Sequence, residues 1–91
     1  MAGSEPQRYR IELTTAAARQ LRRLDRPTAL RIRGAIELLA RDPHPPASRR
    51  LVGRPAYRVR VGDYRILYTV EDDVLVVAVF RVGHRRDVYE H

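Results

Sequence analysis

The spacing of apolar and polar residues changes period along this chain, and each change marks an element. Arg8-Tyr9-Arg10-Ile11-Glu12-Leu13 alternates with the two-residue period of a strand. The period then lengthens: Ala17, Leu21 and Leu24 fall on one face of a helix running roughly from Ala16 to Leu24, with Thr14 and Thr15 as candidate N-caps. Asp25 caps a second helix that tolerates Pro27 in its first turn. Ala29, Ile32, Ala35, Ile36 and Leu39 form its apolar stripe, and Arg33, Glu37 and Arg41 recur at four-residue spacing on the solvent side. Asp42-Pro43 stops it.

After a proline-stiffened connection from Pro43 to Arg50, Leu51 to Pro55 leads into a stretch of strict alternation. Tyr57, Val59 and Val61 point to one face, and Arg58 and Arg60 to the other. Gly62-Asp63 is a Gly-first two-residue turn, beyond which Tyr64, Ile66, Tyr68 and Val70 alternate with Arg65, Leu67 and Thr69. The pattern predicts a β-hairpin. Glu71-Asp72-Asp73 makes the next turn, and the run Val74 to Val82, β-branched on both faces, predicts a central strand ended by Gly83. His84 to His91 is a polar tail, helical or extended. The order β-α-α-β-β-β predicts an α+β fold: two N-terminal helices packed on one face of a small, twisted, mostly antiparallel sheet. The other face is expected to be open and decorated by Arg58, Arg60 and Arg65. Residues 1–91 read as a single domain, with 1–7 as a flexible lead-in and 84–91 as a functional C-terminal tail.

Composition sharpens this picture. Eighteen basic residues stand against eleven acidic ones, for a formal charge of +7, and every one of the eighteen is arginine. Guanidinium groups make planar, bidentate contacts with phosphate but exchange protons poorly near neutral pH. The charge points to polyanionic partners, with nucleic acid first, an acidic protein second and a membrane surface a distant third. With no cysteine, the chain has neither a disulfide nor a thiolate zinc site. No signal-peptide pattern or bilayer-length apolar run stands out, so a soluble cytoplasmic protein is expected. Three adjacent carboxylates, Glu71, Asp72 and Asp73, could suggest a metal site, but in a turn they ordinarily keep the chain hydrated. No metal or cofactor is expected.

The element order, the run Tyr57 to Tyr68, the run Val82-Gly83-His84-Arg85-Arg86-Asp87-Val88-Tyr89 and the helix stop Asp42-Pro43-His44-Pro45-Pro46 together resemble the RelE/ParE toxin superfamily of toxin–antitoxin modules. The resemblance spans the chain from the first strand to Tyr89. It implies a RelE-like fold and a toxin that enters the ribosomal A site, against 16S rRNA, and cuts the mRNA there. The resemblance further implies that the RNA's own 2′-hydroxyl is the nucleophile and that a cyclic phosphate end is left. Such chemistry needs charge stabilisation of a pentavalent phosphorane, a base, an acid and a stacking surface.

By the resemblance, Arg58 and Arg60 stand where the family carries a basic pair, often lysines, on the first hairpin strand. Arg65 matches the arginine of the Tyr-Arg-hydrophobic-hydrophobic-Tyr run, Arg85 the arginine after Val-Gly, and Tyr89 the C-terminal aromatic residue. The implied roles are a clamp on the scissile phosphate by Arg65 and Arg85, a hold on the backbone by Arg58, and stacking by Tyr89. Arg60 departs from the pattern, since a lysine is the implied proton acceptor and arginine is a much worse base. Either charge stabilisation carries most of the rate or His84, an imidazole beside Arg85, takes part in proton transfer. Arg49, Arg50, Arg54 and Arg86 are candidate RNA contacts, with solvation of the surface as their plain alternative. Tyr57, Tyr64 and Tyr68 read as packing residues, and His44 as surface.

The implied partners are a cognate, RelB-like antitoxin, the ribosome and mRNA, with operator DNA reached only through the antitoxin complex. Two other readings fit the same pattern. One is a ParE-like inhibitor of DNA gyrase; the other is a catalytically weak relative that only binds antitoxin or nucleic acid.

Overall fold

The structure, a computed structural model, describes residues 8–87. The elements in chain order are β1 (Arg10–Leu13), α1 (Thr15–Arg22), α2 (Arg26–Arg41), β2 (Arg49–Arg50), β3 (Tyr57–Val61), β4 (Tyr64–Glu71) and β5 (Val76–His84). They build one five-stranded sheet in the order β1-β5-β4-β3-β2, with the helices on one face. Neighbouring strands are antiparallel except β1, which runs parallel to β5 and needs all the intervening chain as its crossover. The expected α+β architecture is therefore present, with one more strand than the alternation predicts. β5 lies between β1 and β4, which accounts for its valine-rich sequence on both faces.

Both helix starts follow from capping. The Thr14 hydroxyl accepts from the Ala17 N–H at 3.1 Å, and the Asp25 carboxylate accepts from the Thr28 N–H and hydroxyl at 3.1 and 3.0 Å. These bonds from Thr28 hold the Asp25 carboxyl below the usual carboxylate range. α1 ends two residues before Leu24, because the chain must turn into the extended backbone of the Asp25 cap; the Arg23 and Leu24 N–H groups bond back to Gln20 and Leu21. Ala17, Leu21, Ile32, Ile36 and Leu39 press onto Val59, Ile66, Tyr68, Val77, Val79 and Val82 to form the main core. Tyr68 is fully buried there and donates its hydroxyl to the Pro43 carbonyl at 2.8 Å, pinning the proline loop to the sheet.

Three local features depart from the sequence-based expectation. Arg49 and Arg50 leave the proline loop to pair with Arg58 and Tyr57 as β2. β5 begins at Val76, because the turn consumes Asp72 to Leu75, with Leu75 left-handed at φ 55°, and it runs on through Gly83, paired with Arg65, to His84, paired with Tyr64.

The third correction concerns the face away from the helices, which is only partly open. A bulge shifts the β4–β5 register between Leu67 and Tyr68, so that Leu67 faces Arg81, Tyr68 faces Val79, and Phe80 is the extra residue. Phe80 joins Leu67 in an apolar patch that segment 51–56 covers with Leu51 and Ala56. The Leu51 N–H closes that segment onto the Ala56 carbonyl at 2.8 Å, and Gly53 supplies its turn at φ 72°.

Candidate active site at the hairpin tip

The β3–β4 hairpin determines the site. Gly62 takes φ 60° and Asp63 does not share that region, the pattern of a two-residue turn that starts with glycine. The turn closes on the pair Val61–Tyr64, so the next pair is Arg60 opposite Arg65. Alternation makes this a pair without mutual backbone hydrogen bonds, the kind whose side chains lie closest, with Cβ atoms roughly 4.5–5.5 Å apart. Two guanidinium groups are thus held side by side on the sheet face away from the helices. Like charges directly opposite each other are unfavourable in a sheet without an anion to share.

A third arginine is fixed to the same place by the end of β5. The Arg85 N–H donates to the Asp63 carbonyl at 2.8 Å, and its side chain, 59% exposed, stands 4.0 Å from the Asp63 carboxylate. Arg60, Arg65 and Arg85 line one cavity of about 100 Å³ with Gly62 and Tyr64. Arg65 is half-buried, with its Nε sealed from water, whereas Arg60 is exposed. Arg58 lies one pleat from Arg60 on the same face, in a row that crosses the sheet as Arg49, Arg58, Leu67 and Arg81.

The remaining candidates fall elsewhere. Arg49 donates to the carbonyls of Pro46 and Ser48 at 3.0 and 2.9 Å, which turns its guanidinium toward its own loop. Arg50, paired with Tyr57, is exposed. The Arg54 guanidinium sits 5.4 Å from the centroid of the Phe80 ring, capping the second apolar patch. Arg86 is exposed, and its N–H donates to His84 Nδ1 at 3.2 Å.

His84 is not brought to the three arginines. It pairs with Tyr64 on the helix side of the sheet, with the two rings edge-to-face at 5.5 Å, and lines a separate hollow of about 340 Å³ with Gln20, Arg23, Leu24 and Asp87. Tyr89 lies outside the described residues. Asp72, from the acidic turn, accepts from the Tyr9 hydroxyl at 2.6 Å, which raises the Tyr9 pKa. Among the described residues no group of three or more histidines and carboxylates is arranged to hold a metal ion.

Two residues of the site region had escaped the sequence pattern. Gln20 Oε1 accepts from the Val82 N–H at 2.7 Å, taking over where β1 ends beside β5. Arg31, from α2, brings Nη2 to 3.0 Å from the point a Cβ on Gly62 would occupy. Neither contact has a local sequence signal, since each comes from the packing of a helix on the sheet.

The profile of the ParE toxin family of type II toxin–antitoxin systems (parDE) matches residues 11–89. The chain belongs to the RelE/ParE toxin superfamily. It is 36% identical over 85 residues to Toxin RelG of Mycobacterium tuberculosis, covering 89% of this chain and 95% of that one. A putative RelE-like toxin protein of Escherichia coli is 27% identical over 86 residues, with 90% of each chain covered. Among solved structures, the toxin–antitoxin complex RelBE2 of M. tuberculosis matches with a TM-score of 0.80 and 28% identity, covering 91% of this chain and 98% of that one. The intact E. coli RelBE complex matches at 0.75 and 25%, covering 84% and 95%. Family membership makes the chain a toxin of a type II toxin–antitoxin system. Its RelE-type sheet is what brings Arg60, Arg65 and Arg85 together.

Proposed function

We propose that this toxin is a ribosome-dependent endoribonuclease that cleaves mRNA in the ribosomal A site. The observation that carries the reading is the convergence of Arg60, Arg65 and Arg85 on one small cavity. A phosphodiester seated there would meet three guanidinium groups on one side. When the 2′-hydroxyl oxygen attacks the adjacent phosphorus, charge builds on the equatorial oxygens of the phosphorane. The new O2′–P bond forms as the P–O5′ bond breaks, and the 2′-hydroxyl proton ends on the departing O5′. A fixed positive field lowers that barrier without reorganising during the reaction. This favours charge stabilisation over proton transfer by His84, which sits on the other side of the sheet with Nδ1 engaged by Arg86. Arg58 extends the basic face along the RNA backbone, and Tyr89 is assigned to stacking.

The cognate partner is proposed to be an amphipathic, acidic antitoxin segment. Two adjoining hollows beside β1 and α2 share Ile11 and Glu37; they are floored by Ile36, Leu13 and Leu38 and rimmed by Arg8, Arg33 and Arg41. The solved relatives seen as RelB–RelE complexes support such a partner.

The test is a cell-free translation reaction with purified toxin, mapping mRNA 5′ ends by primer extension, with the same mRNA lacking ribosomes as control. New ends inside A-site codons, absent without ribosomes, are expected. The matching family profile is that of ParE, which keeps gyrase inhibition as the second reading. Intact mRNA together with inhibited supercoiling would establish that alternative.

A further inference from the structure

The arginine cluster has a member that the hairpin does not supply. Arg31 lies on α2, next to the buried Ile32, and its guanidinium reaches the turn from the helix side of the sheet. Arg60, Arg65 and Arg85 surround the same turn from the opposite side and its end. Gly62 is the shared element, because it lines the three-arginine cavity and leaves the space into which Arg31 Nη2 extends. Asp63, the carboxylate of this tip, is engaged by Arg85 through both backbone and side chain. Among the described residues the Arg31 guanidinium has neither a hydrogen bond nor an ion pair, and the residue is exposed, so its donors reach solvent at the tip. By contrast, Arg19, an exposed arginine of α1, lines neither this cavity nor the hollows beside β1 and α2.

We propose that Arg31 is a further RNA-contacting residue, which grips the phosphate next to the one held by Arg60, Arg65 and Arg85, so that the strand is clamped across the hairpin tip. The inference rests on the RNA-cleaving reading for the identity of the polyanion. Its ligand chemistry is a phosphodiester of single-stranded RNA, approached by a planar donor fork. Because Arg31 stands beyond the reacting phosphate, it contributes to holding the strand more than to the chemical step.

The experiment measures binding of the purified toxin to a single-stranded RNA oligonucleotide by fluorescence anisotropy over a salt series. Arg31→Ala, Arg31→Lys and Arg19→Ala are compared with the unaltered chain, and thermal unfolding checks each fold. Arg31→Ala is expected to weaken binding about tenfold and to flatten the slope of log affinity against log salt by about 0.7, one phosphate contact on a single strand. Arg31→Lys keeps the slope, and Arg19→Ala keeps both slope and affinity to within about twofold. In ribosome-programmed cleavage, Arg31→Ala raises the half-saturating toxin concentration and leaves the single-turnover rate at saturation within about threefold. Equal losses for Arg31→Ala and Arg19→Ala, or no loss for either, overturn the proposal. So does a failure of the unaltered toxin to bind RNA. If the toxin binds RNA with the Arg31 signature yet never cleaves mRNA on ribosomes, the nuclease reading fails and the Arg31 contact stands.

Discussion

At the scale of single residues, the proposed function sets the pair Arg60–Arg65 against stability. Two cations are placed directly across a hairpin, where a threonine or an acidic residue opposite Arg65 would suit the sheet better. Arg60→Thr is therefore expected to stabilise the fold by about 0.5 kcal/mol while lowering the cleavage rate at least tenfold. Urea unfolding and single-turnover cleavage on the same preparations would check both halves. A variant that is less stable and equally active would show that the pair does not have this role. Gly62 matters at the same scale. Its φ of 60° is a conformation that costs other L-residues about 1–2 kcal/mol, and its missing Cβ leaves room for Arg31.

At the scale of elements, the site depends on β5 being held in place beyond the end of β1. Gln20 does this by accepting from the Val82 N–H. Gln20→Ala leaves that half-buried amide without an acceptor and is expected to cost about 1–3 kcal/mol, whereas Gln20→Glu keeps the acceptor and costs less. Thermal unfolding of the two variants separates loss of the acceptor from loss of side-chain bulk. The cap of α2 gives a pH-dependent counterpart. Because hydrogen bonds from Thr28 lower the Asp25 pKa, this carboxylate stabilises the fold above its ordinary titration range. The contribution disappears as pH falls through the lowered value. The stability gap between the unaltered chain and Asp25→Ala should accordingly close in acid, as followed by urea unfolding in steps from neutral pH to pH of about 2.

The elements also show which parts of the structure were legible in the sequence. The hairpin was, because alternation and a Gly-first turn are local signals, and they carry Arg60 and Arg65 to facing positions without knowledge of the rest. The helix caps and stripes were legible for the same reason. The bulge at Phe80, the short β2 and the covering of Leu67 by segment 51–56 were not. Each depends on partners distant in the chain, and an extra residue in β5 moves Phe80 to a face that strict alternation denies it. The site divides in the same way. Arg85 could be placed through its resemblance to a family position and His84 only by adjacency to it, but their separation by the sheet needed the register Tyr64–His84.

At the scale of the whole molecule, a charge of +7 carried by arginine alone suits the proposed action on phosphate and the proposed acidic antitoxin segment. The sheet presents one face to the helices and much of the other to solvent, so that the cationic cavity opens at the hairpin tip, away from the main core. In the proposed mechanism this cavity acts by charge, and His84, across the sheet, does not supply the proton transfer. The direct test is single-turnover cleavage of mRNA on programmed ribosomes by Arg85→Ala and His84→Ala. The expected loss is about 10²–10³-fold for Arg85→Ala and no more than about threefold for His84→Ala. A severe loss at His84 with Arg85→Ala nearly unimpaired would contradict that mechanism.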